Sequence, residues 1–156
     1  MIGFLLDLVA GFFIIRFLVK KYKEKSNMAK NAELSIKNQE ITEITQKGFV
    51  VSHTYPIRGR QELVIDNTNK QWFITGRNDR FHKFSDIIDA TINKSTETRD
   101  GYSHVIRLEV NVTLRDPSSP VFNIIFIDSY KYNTAAEEAL ADDILSVFKY
   151  MISTVR

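Results

Sequence analysis

Eighteen residues near the start of the chain, Ile2 to Val19, form a dense apolar run that would be out of place on the surface of a soluble domain. Wound as an α-helix at about 1.5 Å per residue, the run is about 27 Å long and matches the hydrocarbon core of a bilayer. Thirteen of its residues are Leu, Ile, Phe or Val. At about −0.3 to −0.6 kcal/mol each on the insertion scale they supply roughly −4 to −8 kcal/mol. Asp7 and Arg16 interrupt the run. Each charge costs about 2.5–3.5 kcal/mol at the bilayer centre and less away from it, and Arg16 is near enough to the end to snorkel. An interfacial amphipathic helix would need both charges on one polar face, but nine residues at about 100° each set them on opposite faces. The pattern therefore predicts a helix that spans the membrane.

The flanks of the run fix its topology. A cleavable signal would have a basic stretch before the apolar segment and small residues after it, whereas this run begins at Ile2 and leads straight into lysines. Lys20, Lys21, Lys23 and Lys25 follow with only Glu24 against them. The positive-inside rule then places the C-terminal side in the cytoplasm and the N-terminus outside, and the same lysines can touch anionic headgroups. Residues 1–25 are read as this anchor with its basic stop-transfer segment. Gly3, Asp7, Ala10 and Gly11 share about a third of the helix circumference, a small and polar face suited to close helix approach. That face would allow a homo-oligomer held through the anchor, while glycine and alanine are common in membrane helices in any case.

Residues 26–46 are polar, with few large apolar groups and neither Gly nor Pro. They read as a partly helical juxtamembrane spacer. After Gly48 the hydrophobic period changes to two, and residues 47–156 read as one domain. Strands are expected at Phe49–Tyr55, Glu62–Asp66 and Gln71–Thr75, the last two joined through the turn formers Asn67 to Lys70. Further strands are expected at Arg80–Phe84, Ile87–Asn93, Ser103–Leu114 and Val121–Ile127. In the sixth, Ile106, Leu108, Val110, Val112 and Leu114 alternate with Arg107, Glu109, Asn111 and Thr113, which predicts a core face and a wet face. The chain closes with an amphipathic helix. Thr134-Ala-Ala-Glu137 has capping-box spacing, and Leu140, Ile144, Val147, Phe148, Met151, Ile152 and Val155 form the apolar stripe.

About seven antiparallel strands followed by one such helix give an α+β fold: a pleckstrin-homology-like (PH-like) antiparallel β-barrel or sandwich closed by its C-terminal amphipathic helix, here preceded by one N-terminal transmembrane helix. The segments Leu63 to Ile74, Phe84 to Asp89, Val110 to Leu114, Asp116-Pro117, Pro120 to Ile125 and Ala136 to Ile152 resemble the bacterial PH-like domain found ahead of SHOCT modules. The resemblance spans about residues 47–156 and lies in the order of segments. The chain departs from that family in carrying a membrane anchor and no SHOCT helix pair. What the resemblance implies is a fold, since members of that family have no established ligand or activity.

Several function classes are excluded by composition. With no cysteine there is no disulfide framework, CxxC zinc site or thiol nucleophile. A net charge of only +2, without a continuous basic stripe, gives no nucleic-acid footprint. His53, His82 and His104 are scattered without metal-ligand spacing, and no GxSxG, Walker A or GxGxxG motif occurs. The expectation is therefore no enzyme, no cofactor and no metal. Asp86 and Asp89 would lie on opposite faces of a strand, which spoils an acid/base pair. Arg58 and Arg60, in the loop between the first two strands, form the candidate anion-binding loop, because two guanidiniums can clamp a phosphate. Arg77, Arg80 and Lys83 form a second basic group.

The reading that best fits these features is a single-pass, non-enzymatic binding or adaptor protein at the inner face of a bacterial membrane. Its partners would be the bilayer and a protein bound by the PH-like domain. Two alternatives share this format. One is a prophage-encoded superinfection-exclusion protein that blocks incoming phage DNA, which the single short anchor with a small β-rich domain resembles. The other is a domain that binds anionic lipid.

Overall fold

The structure is a computed structural model; it describes the backbone of residues 2–59, 61–77, 80–131 and 133–155, and side chains from Lys20 onward over the same ranges, Glu33 excepted. Helix α1 runs from Ile2 to Gln46 without a break, so the segment expected to be a partly helical spacer is helical throughout. Seven strands follow: β1 (His53–Pro56), β2 (Glu62–Asp66), β3 (Gln71–Ile74), β4 (His82–Lys83), β5 (Ile87–Arg99), β6 (Tyr102–Leu114) and β7 (Val121–Ile127). Helix α2 (Ala135–Ser153) ends the chain. By its contacts the chain divides into two units, Met1–Glu40 and Ile41–Arg156.

In the second unit, β1 to β4 form one antiparallel meander and β5 to β7 another, a four-stranded and a three-stranded sheet. The architecture is thus α+β, two antiparallel sheets with a C-terminal helix. No ladder among the described residues joins the sheets into a closed barrel. The main core combines Leu63, Ile65, Trp72 and Ile74 with Leu108, Val110, Val112, Ile124 and Phe126, and with the α2 residues Ala141, Ile144, Phe148 and Met151. Trp72 is its centre: His82 stacks on the indole at 4.5 Å, while Phe122 and Phe148 meet it edge-on at 5.3 and 5.1 Å. Such aromatic pairs contribute about 0.5–1.5 kcal/mol each beyond area burial.

The opposite face of β2 and β3 is covered too. Val64 and Phe73 pack with Ile44 from the last turn of α1, with Phe49 and with Phe81. The way α1 ends explains this. Gly48 takes φ +88°, the Phe49 amide donates to the Ile44 carbonyl at 3.1 Å, and the Gly48 amide donates to that of Thr45 at 3.0 Å. This is a Schellman ending with its usual apolar contact, here between Ile44 and Phe49. Phe49–Val51 consequently does not extend β1, whose pairing begins only at His53.

Asp66 fastens the same junction to the β2–β3 hairpin. Its buried carboxylate accepts hydrogen bonds from the Val50 amide, the Asn69 amide and the Asn69 side chain at 2.7–2.8 Å. Asn69 also donates to the Gly48 carbonyl at 3.0 Å. Burial pushes the Asp66 carboxyl up, but the amides of Val50, Asn69 and Thr68 together with the Asn69 side chain bring it below its ordinary value.

One sequence expectation shifts in register, and two others change through side-chain pairing. A bulge between Ser95 and Thr96 leaves Ile106 out of the ladder, so the core face passes from Val105 to Leu108, and Ile106 is only half-buried. Glu109, expected to be wet, is buried: Arg107 holds it at 2.7–2.8 Å and Asn93 at 3.1 Å. Burial raises its carboxyl, and these donors, with Asn111, hold it below the ordinary value. At the start of α2, Thr134 donates to the Glu138 carboxylate at 2.5 Å, while Glu137 pairs with Lys131. The expected Thr134–Glu137 capping box is therefore replaced by side-chain pairs that draw both carboxyls below their ordinary values, chiefly through Lys131 for Glu137 and Thr134 for Glu138.

Candidate functional site

Two clefts meet where the sheets approach the end of α2. The chain enters this region along β4, makes a single 3-10 turn at Phe84–Asp86 and begins β5. Phe84 is fully buried and anchors the turn from inside. The Asp86 carboxylate accepts from the Lys83 amide at 3.3 Å, and the Asp86 carbonyl accepts from the Arg115 amide at 2.8 Å. The turn is thereby tied to the residue that follows β6. Just beyond it, the register shift between Ile87 and Asp89 places Ile88 in a bulge. A bulge re-aims its side chain away from the ladder, which accounts for an isoleucine that is 47% exposed.

One cleft, about 410 Å³, is lined by Arg80, Phe81, His82, Lys83, Leu114 and Asp116, with Asp86 and Arg115 at its margin. Arg80 is paired with Asp116. Lys83 and Arg115 are exposed, and among the described residues no carboxylate is paired with either side chain. The second cleft, about 480 Å³, shares Asp86 and Arg115 and is walled by Ile87, Ile88, Ile152 and Val155. Each volume falls within the range of small-ligand sites, about 300–1,000 Å³. One cleft carries cationic side chains and its neighbour an aliphatic wall.

The sequence-derived candidates are distributed differently. Arg58 is ion-paired with Asp128 at 2.7 Å, both partly exposed, and its proposed companion Arg60 lies outside the described residues. Arg77 is built into the fold, donating to the Asn123 carbonyl at 2.7 Å with its guanidinium 4.6 Å from the centre of the Phe122 ring. Of the second basic group, Arg80 and Lys83 reach the cleft, where Arg115 joins them. Arg115 was missed because it stands alone after a strand and becomes a neighbour of Lys83 only through the Asp86 bond. Lys20, Lys21, Lys23 and Lys25 are exposed on α1. Gly3, Asp7, Ala10 and Gly11 fall within α1, but side-chain detail there lies outside the described residues.

His53 is exposed beside Tyr55, His82 is stacked on Trp72, and His104 packs against Tyr130. Among the described residues no group of three or more His, Asp or Glu side chains is placed to hold a metal ion. Among the described residues, too, no helix is long and apolar enough to cross a membrane; the side chains of the 2–19 run lie outside them. No protein-family model matches the chain, and neither a curated protein nor a solved structure matches it.

Proposed function

We propose that the protein is a single-pass, membrane-tethered binding protein whose PH-like domain lies in the cytoplasm and engages a protein partner without catalysing a reaction. The observation that carries this reading is the continuity of α1. One helix contains the apolar run, the lysines behind it and Ile44, which is buried in the folded unit. The lysine cluster supports an N-terminus outside and a domain on the cytoplasmic side.

Two antiparallel meanders of four and three strands, followed by a helix packed into their shared core, are the outline a PH-like module would have. The pairing of Arg58 with Asp128 argues against a lipid clamp in the first loop, because an internal carboxylate already occupies the guanidinium. The exposed Lys83 and Arg115, beside an aliphatic wall, favour a ligand with both charged and apolar parts.

Photocrosslinking in intact cells tests this reading. A photoreactive amino acid placed at exposed positions across the domain, such as Ile88, Tyr102, Val121 and Tyr150, should give a discrete protein adduct clustered on one face. Adducts to lipid alone, or none at any position, would contradict it.

A further inference from the structure

Two neighbouring clefts that share Asp86 and Arg115 offer a groove with both cationic and aliphatic lining. Ile88 and Val155 are 47% and 41% exposed and face one cleft from different elements. Arg115 stands where that cleft meets the other, and Lys83 lies in the second. Isolated exposed hydrophobes are unremarkable, but two lining one cleft beside cations with no paired carboxylate among the described residues make a composite surface. An apolar wall offers nothing to a free phosphate. Asp86 and Asp116 line the same groove and would repel a multiply charged anion, whereas a single carboxylate meets a balance of charge that, among the described lining residues, is positive by one. Extended peptide fits both halves, since its side chains alternate and its backbone can use the groups that the bulge at Ile88 leaves out of the ladder.

We infer that this groove docks an extended segment of a partner protein, with an acidic side chain set on Lys83 and Arg115 and an aliphatic side chain on Ile88 and Val155. The inference rests on the binding-protein reading and names the chemistry of its partner. Lys83 and Arg115 supply selection for the acid, and the Ile88–Val155 wall supplies apolar burial that a soluble anion cannot exploit.

The test uses the full chain in detergent micelles, panned against a displayed library of random heptapeptides, with one selected peptide then titrated by fluorescence anisotropy. The enriched sequences should carry Asp or Glu near Leu, Ile or Val. Joint Lys83→Gln and Arg115→Gln substitution, and separately Ile88→Ser, should each weaken the titrated peptide at least fivefold. All of these positions are exposed, so the Trp72 fluorescence melt should stay at the parent value. Inorganic phosphate and phosphatidylglycerol vesicles serve as competing probes. Saturable binding of either probe that is lost in the Lys83/Arg115 double variant would overturn the inference in favour of a phosphate site. Enrichment without acidic residues, or a titration untouched by these variants, would overturn it while leaving a binding role elsewhere on the domain, which the crosslinking scan reads independently. No enriched peptide at all would also overturn it.

Discussion

The packing of Phe148 against Trp72 makes truncation at that position the sharpest test of the fold. Phe148 has no exposed surface, and its ring lies 5.1 Å from the Trp72 indole at 87°. Replacing Phe148 with Ala removes that contact and leaves a cavity between α2 and β3, a change that costs about 3–5 kcal/mol in a well-packed core. Against a total of about 5–15 kcal/mol for a domain, this is a large share, and it should lower the melting temperature by on the order of 10–20 °C. Phe148→Leu keeps most of the volume and should cost under about 1.5 kcal/mol. Tyr150 is the control. It lies two residues away, about 200° around the helix and 56% exposed, so Tyr150→Ala should stay within about 0.5 kcal/mol of the parent. Trp72 is the only tryptophan in the chain, and its fluorescence reports the same site during urea unfolding. The urea midpoint should move with little change in slope. A Phe148→Ala protein that melted within two or three degrees of the parent, or a Tyr150→Ala protein damaged as badly, would refute the placement of α2 on this core.

Other outcomes follow from single contacts. Asp66→Asn puts an amide where three backbone and side-chain donors converge, and should cost about 1–3 kcal/mol at neutral pH by urea titration. Because the folded Asp66 carboxyl sits below its unfolded value, its contribution is fully present well above the ordinary carboxylate value of about 3.9 and is lost as pH falls below it through the folded value; the gap between parent and variant should therefore narrow as pH falls below about 4. Gly48→Ala meets no atom within 4 Å but must hold φ +88°, so thermal melts should show a loss of about 1 kcal/mol that comes from backbone strain alone. Arg58→Ala breaks only an exposed pair, and both the melting temperature and the sedimentation of the protein with anionic vesicles should be unchanged at physiological salt.

Where turn formers or a cap bound a compact apolar segment, the sequence was enough to locate structure. The β2–β3 hairpin, β7 and α2 all lie within about a residue of where their apolar residues and flanking turn formers place them. The far halves of β5 and β6 were harder to read. Lys94 to Arg99 carries no apolar side chain, yet it is a strand, held by pairing to Tyr102–Leu108 rather than by burial. The polar segment after the lysines likewise showed no stripe, and its helix is closed by Gly48, whose role depends on Ile44 and Phe49 meeting across the cap. The burial of Glu109 was hidden by alternation itself, since period two assigns a face but cannot show that Arg107 and Asn93 will close over it. For the groove, only Arg80 and Lys83 were visible in advance. Arg115 and Val155 lie 32 and 72 residues beyond Lys83 in the sequence, and the Ile88 bulge has no local signal.

Topology tests the central claim most directly. Spheroplasts expressing the full chain should be treated with protease from outside and probed with an antibody against residues 41–156. A membrane-tethered protein with its domain in the cytoplasm predicts a membrane-bound product whose domain survives intact and is degraded only after lysis. Digestion of the domain in sealed spheroplasts, or its release into the soluble fraction without detergent, would contradict that account.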